Sequence, residues 1–230
     1  MVEERPDLAG HPDQERWNAR YAGSAPSFQP HPLAEQLLGP VPAGAVPGGQ
    51  EPVGATPARP DSLWGLVPDG PVADLACGPS GSALLAAARG RPVTAVDVSA
   101  VALGLLGREA RRRGLADRIT LVHADLASWH PAPAGYALVL CTGFWDRAVF
   151  AVAVRAIEPG GVLGWEAFTV AARQARPTLN PAWCLGPGEP AALLPSGFTV
   201  LTQQEFPSPD HGDRRRLLAR RLAPRPATGR

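Results

Sequence analysis

The sequence lacks most of what would commit it to a membrane, a metal or an oxidising compartment. No apolar run reaches the roughly 20 residues that a membrane span requires. The opening stretch, MVEERPDLAGHPDQER, is polar and acidic with no apolar centre, which argues against a secretory leader. There are only three cysteines, Cys77, Cys141 and Cys184, far apart and without CxxC spacing. That excludes a disulfide framework and a cysteine zinc site, and it fits a reducing, cytoplasmic setting. None of the five histidines has metal-ligand spacing, so no metal is expected. A formal net charge of +1 gives no general attraction to nucleic acid or anionic lipid. No repeat of fixed period is found.

What is present is an ordinary globular composition, 45% apolar and 19% charged over 230 residues, enough for one domain with appendages. The 27 prolines and 25 glycines are unevenly spread. GPVPAGAVPGGQEPVGATPARP, residues 39–60, is almost wholly Gly, Pro and Ala and has nothing to bury, so a flexible linker is expected there. Residues 224–230 are of similar character and are expected to fray. The implied organisation is a helical cap over 1–38, the linker over 39–60, a main domain over 61–223 and a tail over 224–230.

An amphipathic helix is predicted over Pro12–Tyr21, with Trp17 and Tyr21 one turn apart on one face, and a short helix over Pro32–Leu38. Beyond the linker, short apolar runs alternate with helical ones. Strands are predicted over Val72–Ala76, Val93–Val96, Ile119–Val122, Ala137–Leu140 and Gly160–Phe168. The intervening helices are Ser82–Arg89, Ala100–Arg113 (with Gly114 as its stop) and Trp145–Ile157. This alternation predicts an α/β fold, a three-layer Rossmann-like sheet that is mostly parallel. After Val170 the alternation fails. Phe198–Phe206 and Arg215–Leu222 then read as an antiparallel pair at the sheet edge joined by SPDHGD, although RRRLLARRLA also fits a basic helix. The arginines there fit either a solvated edge strand or a nucleic-acid surface, and the absence of a basic stripe elsewhere favours the former.

Chemistry concentrates where VADLACGPSGSALLA turns from strand to helix. Gly78 permits close backbone approach to a ligand, Gly81 permits tight packing of the helix on the strand, and Pro79 suits a helix opening. As a GxGxxG fingerprint the match is incomplete, because Ala76 replaces the first glycine. Taken alone, the turn admits a nucleotide site or a purely structural turn. Asp97 closes the next strand beside it, where a carboxylate accepts both ribose hydroxyls; capping of the following helix suits Ser99 better. Asp125, in HADL after the third strand, fits either an adenine contact or a loop-start Asp bonded to its own backbone.

Together these residues resemble the class I S-adenosylmethionine-dependent methyltransferases. DLACGPSG is similar to the family's first motif, Asp97 to the acid ending its second strand, HADL to its adenine-contacting segment, and IEPGGVL to the turn into its fifth strand. The resemblance covers about residues 70–206. More loosely, ERWNARY and NPAWCLGPGE resemble the tellurite-resistance-like branch. The resemblance implies S-adenosyl-L-methionine as cofactor. It places Asp74 at the methionine amino group, with Ala76, Cys77 and Gly78 giving close contact. Asp97 falls at the ribose, Val98 on adenine, and Asp125 and Leu126 at the adenine edge. Cys141, Thr142 and Gly143 then line the wall near the transferred methyl. One departure stands out: GYALVLC carries Ala137 where an acid usually begins the fourth strand.

The implied reaction is in-line transfer of a methyl to a small-molecule nucleophile, which asks the protein mainly to align and to exclude water. No catalytic base is assigned. Asp146, Arg147 and Glu166 are candidates beside the transfer site, with Trp145 and Trp183 as possible walls; helix capping and core packing compete with those roles. Trp17, Arg20 and Tyr21 are candidates for a lid. The rival classes are an NAD(P)-dependent oxidoreductase and a non-catalytic cofactor-binding protein.

Overall fold

In the computed structural model the described residues are 2–4, 8, 10–23, 25–39 and 63–223. Apart from Gly39, the expected linker lies outside them, as does the 224–230 tail. The elements are β1 (Val2–Glu4), α1 (Pro12–Ala22), α2 (Pro32–Leu38), β2 (Val72–Leu75), α3 (Gly81–Ala88), β3 (Val93–Asp97), α4 (Ala100–Arg112), β4 (Ile119–His123), β5 (Tyr136–Thr142), α5 (Arg147–Ala156), β6 (Ile157–Phe168), β7 (Phe198–Phe206) and β8 (Arg214–Arg221). They form one eight-stranded sheet in the order β1-β4-β3-β2-β5-β6-β8-β7. The pairs are parallel except those of β8 with β6 and with β7.

The apolar strands follow from burial on both faces. On one face α2, α3 and α4 pack Leu33, Leu37, Leu84, Leu103 and Leu106 against Leu138, Leu140 and Val162. On the other, α5 packs Val149, Phe150 and Ala153 against Val139, Leu163 and Trp165. This is the expected three-layer α/β architecture. Helix starts are set by side-chain caps: Ser80, Ser99 and Asp146 accept from the amides of Ala83, Ala102 and Val149 at 2.9, 3.1 and 2.9 Å. Gly114, at φ +69°, stops the chain just past α4, as expected. Among the described residues no helix is long and apolar enough to cross a membrane.

Three expectations need correcting. Pro79 does not open α3; it precedes the cap, because Ser80 takes that role. The strand expected to begin at Gly160 begins at Ile157, directly from α5. Its Pro-Gly-Gly segment is absorbed as an irregularity, the register jumping from Tyr136↔Ile157 to Leu138↔Val162. The arginine-rich C-terminal segment is a strand, but β7 and not β8 forms the edge. Its Leu217-Leu218-Ala219 centre is fully buried, which an edge position would not provide. The parallel pairing of Val2–Glu4 with β4 was not anticipated, since three residues carry no readable period.

Candidate functional site

Ligands of open α/β sheets bind beyond the carboxyl ends of the strands, and here that edge carries two adjacent buried carboxylates. β2 delivers Asp74 and β3 delivers Asp97, 3% and 6% exposed. Between them runs the turn from Ala76 to Gly78, with φ of +49° and +60°. The left-handed conformation at Ala76 costs a residue with a Cβ about 1–2 kcal/mol, a strain commonly held at functional sites. Asp74 accepts from Ser80 Oγ at 2.5 Å. Asp97 accepts from the Gly78 amide through Oδ2 and from the Ser99 amide through Oδ1, both at 2.8 Å. Burial pushes Asp74 up to about 6, against the lowering effect of Ser80, and it raises Asp97 as well. Burial likewise pushes the Cys77 and Cys141 thiols well above their ordinary value, which favours the neutral thiol at both.

Helix α1 crosses this edge through a polar face. Asn18 Oδ1 accepts from Ser99 Oγ at 2.7 Å and from the Val101 amide at 3.2 Å. The Gln14 amide lies 2.9 Å from His123 Nε2, which is 3.1 Å from the Val98 carbonyl. His11 Nε2 lies 3.5 Å from Asp125 Oδ2. Further along the same stripe, Tyr21 sets its hydroxyl into the glycine turn, 2.8 Å from where a Cβ on Gly78 would stand. Burial, then the neighbouring Asp97, pushes the Tyr21 phenol up to about 12, so it is neutral near pH 7. Trp17 stacks on Tyr21 with centroids 5.8 Å apart, and Arg16 and Arg20 lie 5.5 and 5.6 Å from the Trp17 centroid. Arg16 also reaches Trp183 at 4.9 Å. His11, Gln14 and Asn18 were missed in the sequence. Their signal is the spacing of polar residues at 11, 14 and 18 on one helical stripe with Tyr21, a pattern that a solvent-facing stripe shares.

Gly81 has a different reason from the one expected. A Cβ there would collide with the backbone of Phe28 and Gln29, so the glycine admits the N-terminal segment crossing over α3. The His31 amide donates to Ser82 Oγ at 3.1 Å just beyond that crossing.

Of the remaining predicted residues, Val98 is half-buried and Leu126 buried beside the third strand's end. Asp125 does bond its own loop, accepting from Ala127 at 3.0 Å. Cys141 is buried, Thr142 half-buried, and Gly143 donates to the Glu166 carbonyl at 2.8 Å. Trp145 is 1% exposed and packs on Phe150 and Trp165, a core position and not a wall. Asp146 caps α5, and Arg147 grips Glu189 at 2.7 and 3.0 Å. Glu166 is not a free base. Burial alone would raise it, but hydrogen bonding from His31 and pairing with Arg216 outweigh that and hold it below the usual carboxylate range. An open cleft of about 600 Å³ lies elsewhere, lined by Pro159, Phe198 and Arg221 near the amino end of β6. It holds none of these acids.

The carboxyl edge thus brings together two buried carboxylates, Asp74 and Asp97, and a left-handed backbone turn from Ala76 to Gly78. That donor set fits an adenosyl amino acid. Residues 72–161 match a family model described as a methyltransferase domain. No curated protein matches the sequence. Among solved structures, the geranyl diphosphate C-methyltransferase from Streptomyces coelicolor, in complex with Mg2+, geranyl diphosphate and S-adenosyl-L-homocysteine, is similar at TM-score 0.61 and 13% identity, covering 93% of this chain and 99% of its own. A protein solved in work on conversion of a disulfide bond into a thioacetal group during echinomycin biosynthesis gives 0.60 and 20%, covering 91% of each. The [4+2]-cyclase SpnF gives 0.55 and 17%, covering 68% and 76%. These likenesses establish the fold, and residues 72–161 are similar to the methyltransferase-domain model.

Proposed function

We propose that the chain moves the methyl of S-adenosylmethionine to a small-molecule nucleophile by in-line displacement. The observation that carries this reading is the pair of buried carboxylates, Asp74 and Asp97, flanking the left-handed Ala76–Gly78 turn inside the methyltransferase domain. The cofactor supplies a sulfonium-activated methyl: the S–CH3 bond breaks as the acceptor–CH3 bond forms, the sulfur leaves as a thioether, and any acceptor proton passes to solvent. Asp74 holds the methionine ammonium and Asp97 the ribose hydroxyls. Val98, Asp125 and Leu126 hold the adenine, with Ala76, Cys77 and Gly78 along the amino-acid portion and Cys141, Thr142 and Gly143 behind the methyl. Residues 1–38 act as the cap, and α1 excludes water when Tyr21 and Trp17 close over the turn.

The acids near the transfer side are committed elsewhere: Glu166 to Arg216 and His31, Asp146 to its helix cap. This supports an acceptor that needs no base, such as a thiol, a selenol or a reduced oxyanion of a soft element. The likeness of ERWNARY and NPAWCLGPGE to the tellurite-resistance-like branch points the same way. The three free cysteines support action in the cytosol.

Calorimetric titration with S-adenosylhomocysteine and with NADH tests the cofactor. Binding of NADH alone would overturn the reading. Incubation with methyl-labelled cofactor and a panel of thiols, oxyanions, phenols and amines tests turnover. The SpnF likeness, to a cyclase by name, gives a second reading in which the fold binds the cofactor without methyl transfer. Tight cofactor binding with no transfer to any acceptor class favours that alternative.

A further inference from the structure

The ends of β6 and β8 that meet at the carboxyl edge are crowded with guanidinium groups. The chain contains no lysine, so all 22 of its basic residues are arginines. Most of those on β8 are committed. Arg215 bonds Glu205 and the Gly186 and Glu189 carbonyls, Arg216 grips Glu166, and Arg220 and Arg221 donate to the Gly160 and Ile157 carbonyls. Two others stand apart. Arg214 and Arg176 lie against the same ring, their guanidinium carbons 4.8 and 4.7 Å from the Phe168 centroid. Arg176 is exposed and makes no ion pair among the described residues. Arg214 approaches Glu166 Oε1 only at 4.0 Å, and that carboxylate is already held by Arg216 at 2.7 Å and by His31 at 3.3 Å. The local balance is therefore an excess of positive charge.

The place of this pair relates it to the chemistry. Phe168 is opposite Arg214 in the β6–β8 register, and Glu166 is opposite both Arg216 and Thr142. Gly143, behind the methyl in the proposed arrangement, donates to the Glu166 carbonyl. His31 Nε2 lies 3.3 Å from Glu166 Oε1, and its amide bonds Ser82 at the start of α3, so this residue links the arginine cluster to the helix that follows the glycine turn. A guanidinium is a planar fork matched to carboxylate and phosphate oxygens, and an aromatic face behind it fixes its plane without neutralising it.

We infer that Arg176 and Arg214 form an oxyanion clamp on the acceptor side of the site, and that the methyl acceptor carries a carboxylate or phosphate group. This rests on the methyl-transfer reading of the same edge. Phe168 is the rigid backing of the clamp, and the Glu166–His31–Arg216 cluster beneath it positions β6 against β8.

The test uses the full chain, with inorganic pyrophosphate and benzoate as probes, titrated calorimetrically with and without saturating S-adenosylhomocysteine. The expected result is saturable binding of at least one anion. Stronger pyrophosphate binding indicates a phosphate-bearing acceptor, and stronger benzoate binding a carboxylate-bearing one. In the doubly substituted Arg176→Gln, Arg214→Gln chain the bound anion is held at least ~10-fold more weakly, while S-adenosylhomocysteine affinity is unchanged. Exposed Arg176→Gln alone gives a partial loss, and Arg111→Gln on the outer side of α4 gives none. Failure of both anions to bind saturably, or parent-like binding by the double variant, overturns the clamp. Failure of the parent chain to bind S-adenosylhomocysteine counts against the methyl-transfer reading, and the titration without it still decides the clamp.

Discussion

The amide of Gly78 donates to Asp97 Oδ2 at 2.8 Å, so the acid assigned to the ribose also holds the turn assigned to the amino-acid portion. Its other oxygen takes the Ser99 amide at the same distance. Each carboxylate oxygen retains a second acceptor direction, which is what a vicinal diol requires. Asp97→Ala should therefore weaken S-adenosylhomocysteine binding by about 1.5–3 kcal/mol, or roughly 10- to 150-fold, and lower the thermal midpoint as well. Exposed Asp117→Ala should change neither. A lowered midpoint with unchanged affinity would leave Asp97 a purely structural acid.

Asp74 predicts a pH dependence. Its folded-state value is raised to about 6 by burial, from an ordinary 3.8. A raised carboxylate contributes stability that is fully present below its unfolded value and is lost as pH rises through about 6. A cationic ammonium reverses that preference, because it needs the ionised form. Cofactor affinity should fall as pH drops below about 6, with proton release on binding in that range. Calorimetry in buffers of differing ionisation heat measures the release, and Asp74→Asn should abolish it.

Glu109 gives the opposite sign. Hydrogen bonds from Arg112, then from Arg113, outweigh its burial and depress it to about 2 from 4.5. Its contribution is present above the unfolded value and lost as pH falls through about 2. Much of the pairing with half-exposed Arg112 is screened by solvent, so the effect is modest. Thermal midpoints recorded from about pH 7 to 2 should show an acid limb that Glu109→Gln flattens, with the variant's midpoint modestly lower at pH 7 and converging on the parent's near pH 2.

Asn18 is the centre of the cap's docking, accepting from both Ser99 Oγ and the Val101 amide. Two hydrogen bonds at about 0.5–1.5 kcal/mol each make Asn18→Ala a direct test of whether α1 covers the cofactor. S-adenosylhomocysteine binding should weaken several-fold, and removal of residues 1–24, which takes β1 with it, should weaken it further while circular dichroism retains the signal of strands β2 to β8. Equal affinity in the truncated chain would remove Trp17, Arg20 and Tyr21 from the lid.

The parallel sheet was legible because its strands are buried on both faces and spell that burial as short runs such as VADL, VTAVD and ALVLC. Asp74 was legible because it stands just before the glycine turn, and Asp97 because it closes the next strand. What the sequence hid depends on contacts between distant segments. Glu166 looks like a free acid until β8 brings Arg216 beside it and α2 brings His31. Trp145 looks like a wall until Phe150 and Trp165 enclose it. Three-residue β1 has too few positions to show a period. The polar stripe of α1 satisfies a surface helix as well as a docked one, and only the partners across the edge distinguish the two.

Gly81 offers the sharpest test of how the N-terminal segment sits on the domain. At the first position of α3, replacing glycine by alanine ordinarily stabilises, by up to about 1 kcal/mol within a helix, because the backbone loses less freedom on folding. Here a Cβ would collide with the backbone of Phe28 and Gln29, and backbone cannot swing aside as a side-chain tip can. Gly81→Ala should therefore lower the thermal midpoint of the full chain and weaken S-adenosylhomocysteine binding, since displacing residues 28–31 also disturbs the His31 contact with Ser82. In a chain lacking residues 1–30 the obstacle is gone, and the same substitution should raise the midpoint or leave it unchanged. The sign difference between the two backgrounds is the measurement. Stabilisation by Gly81→Ala in both would mean that the N-terminal segment does not cross α3 in solution.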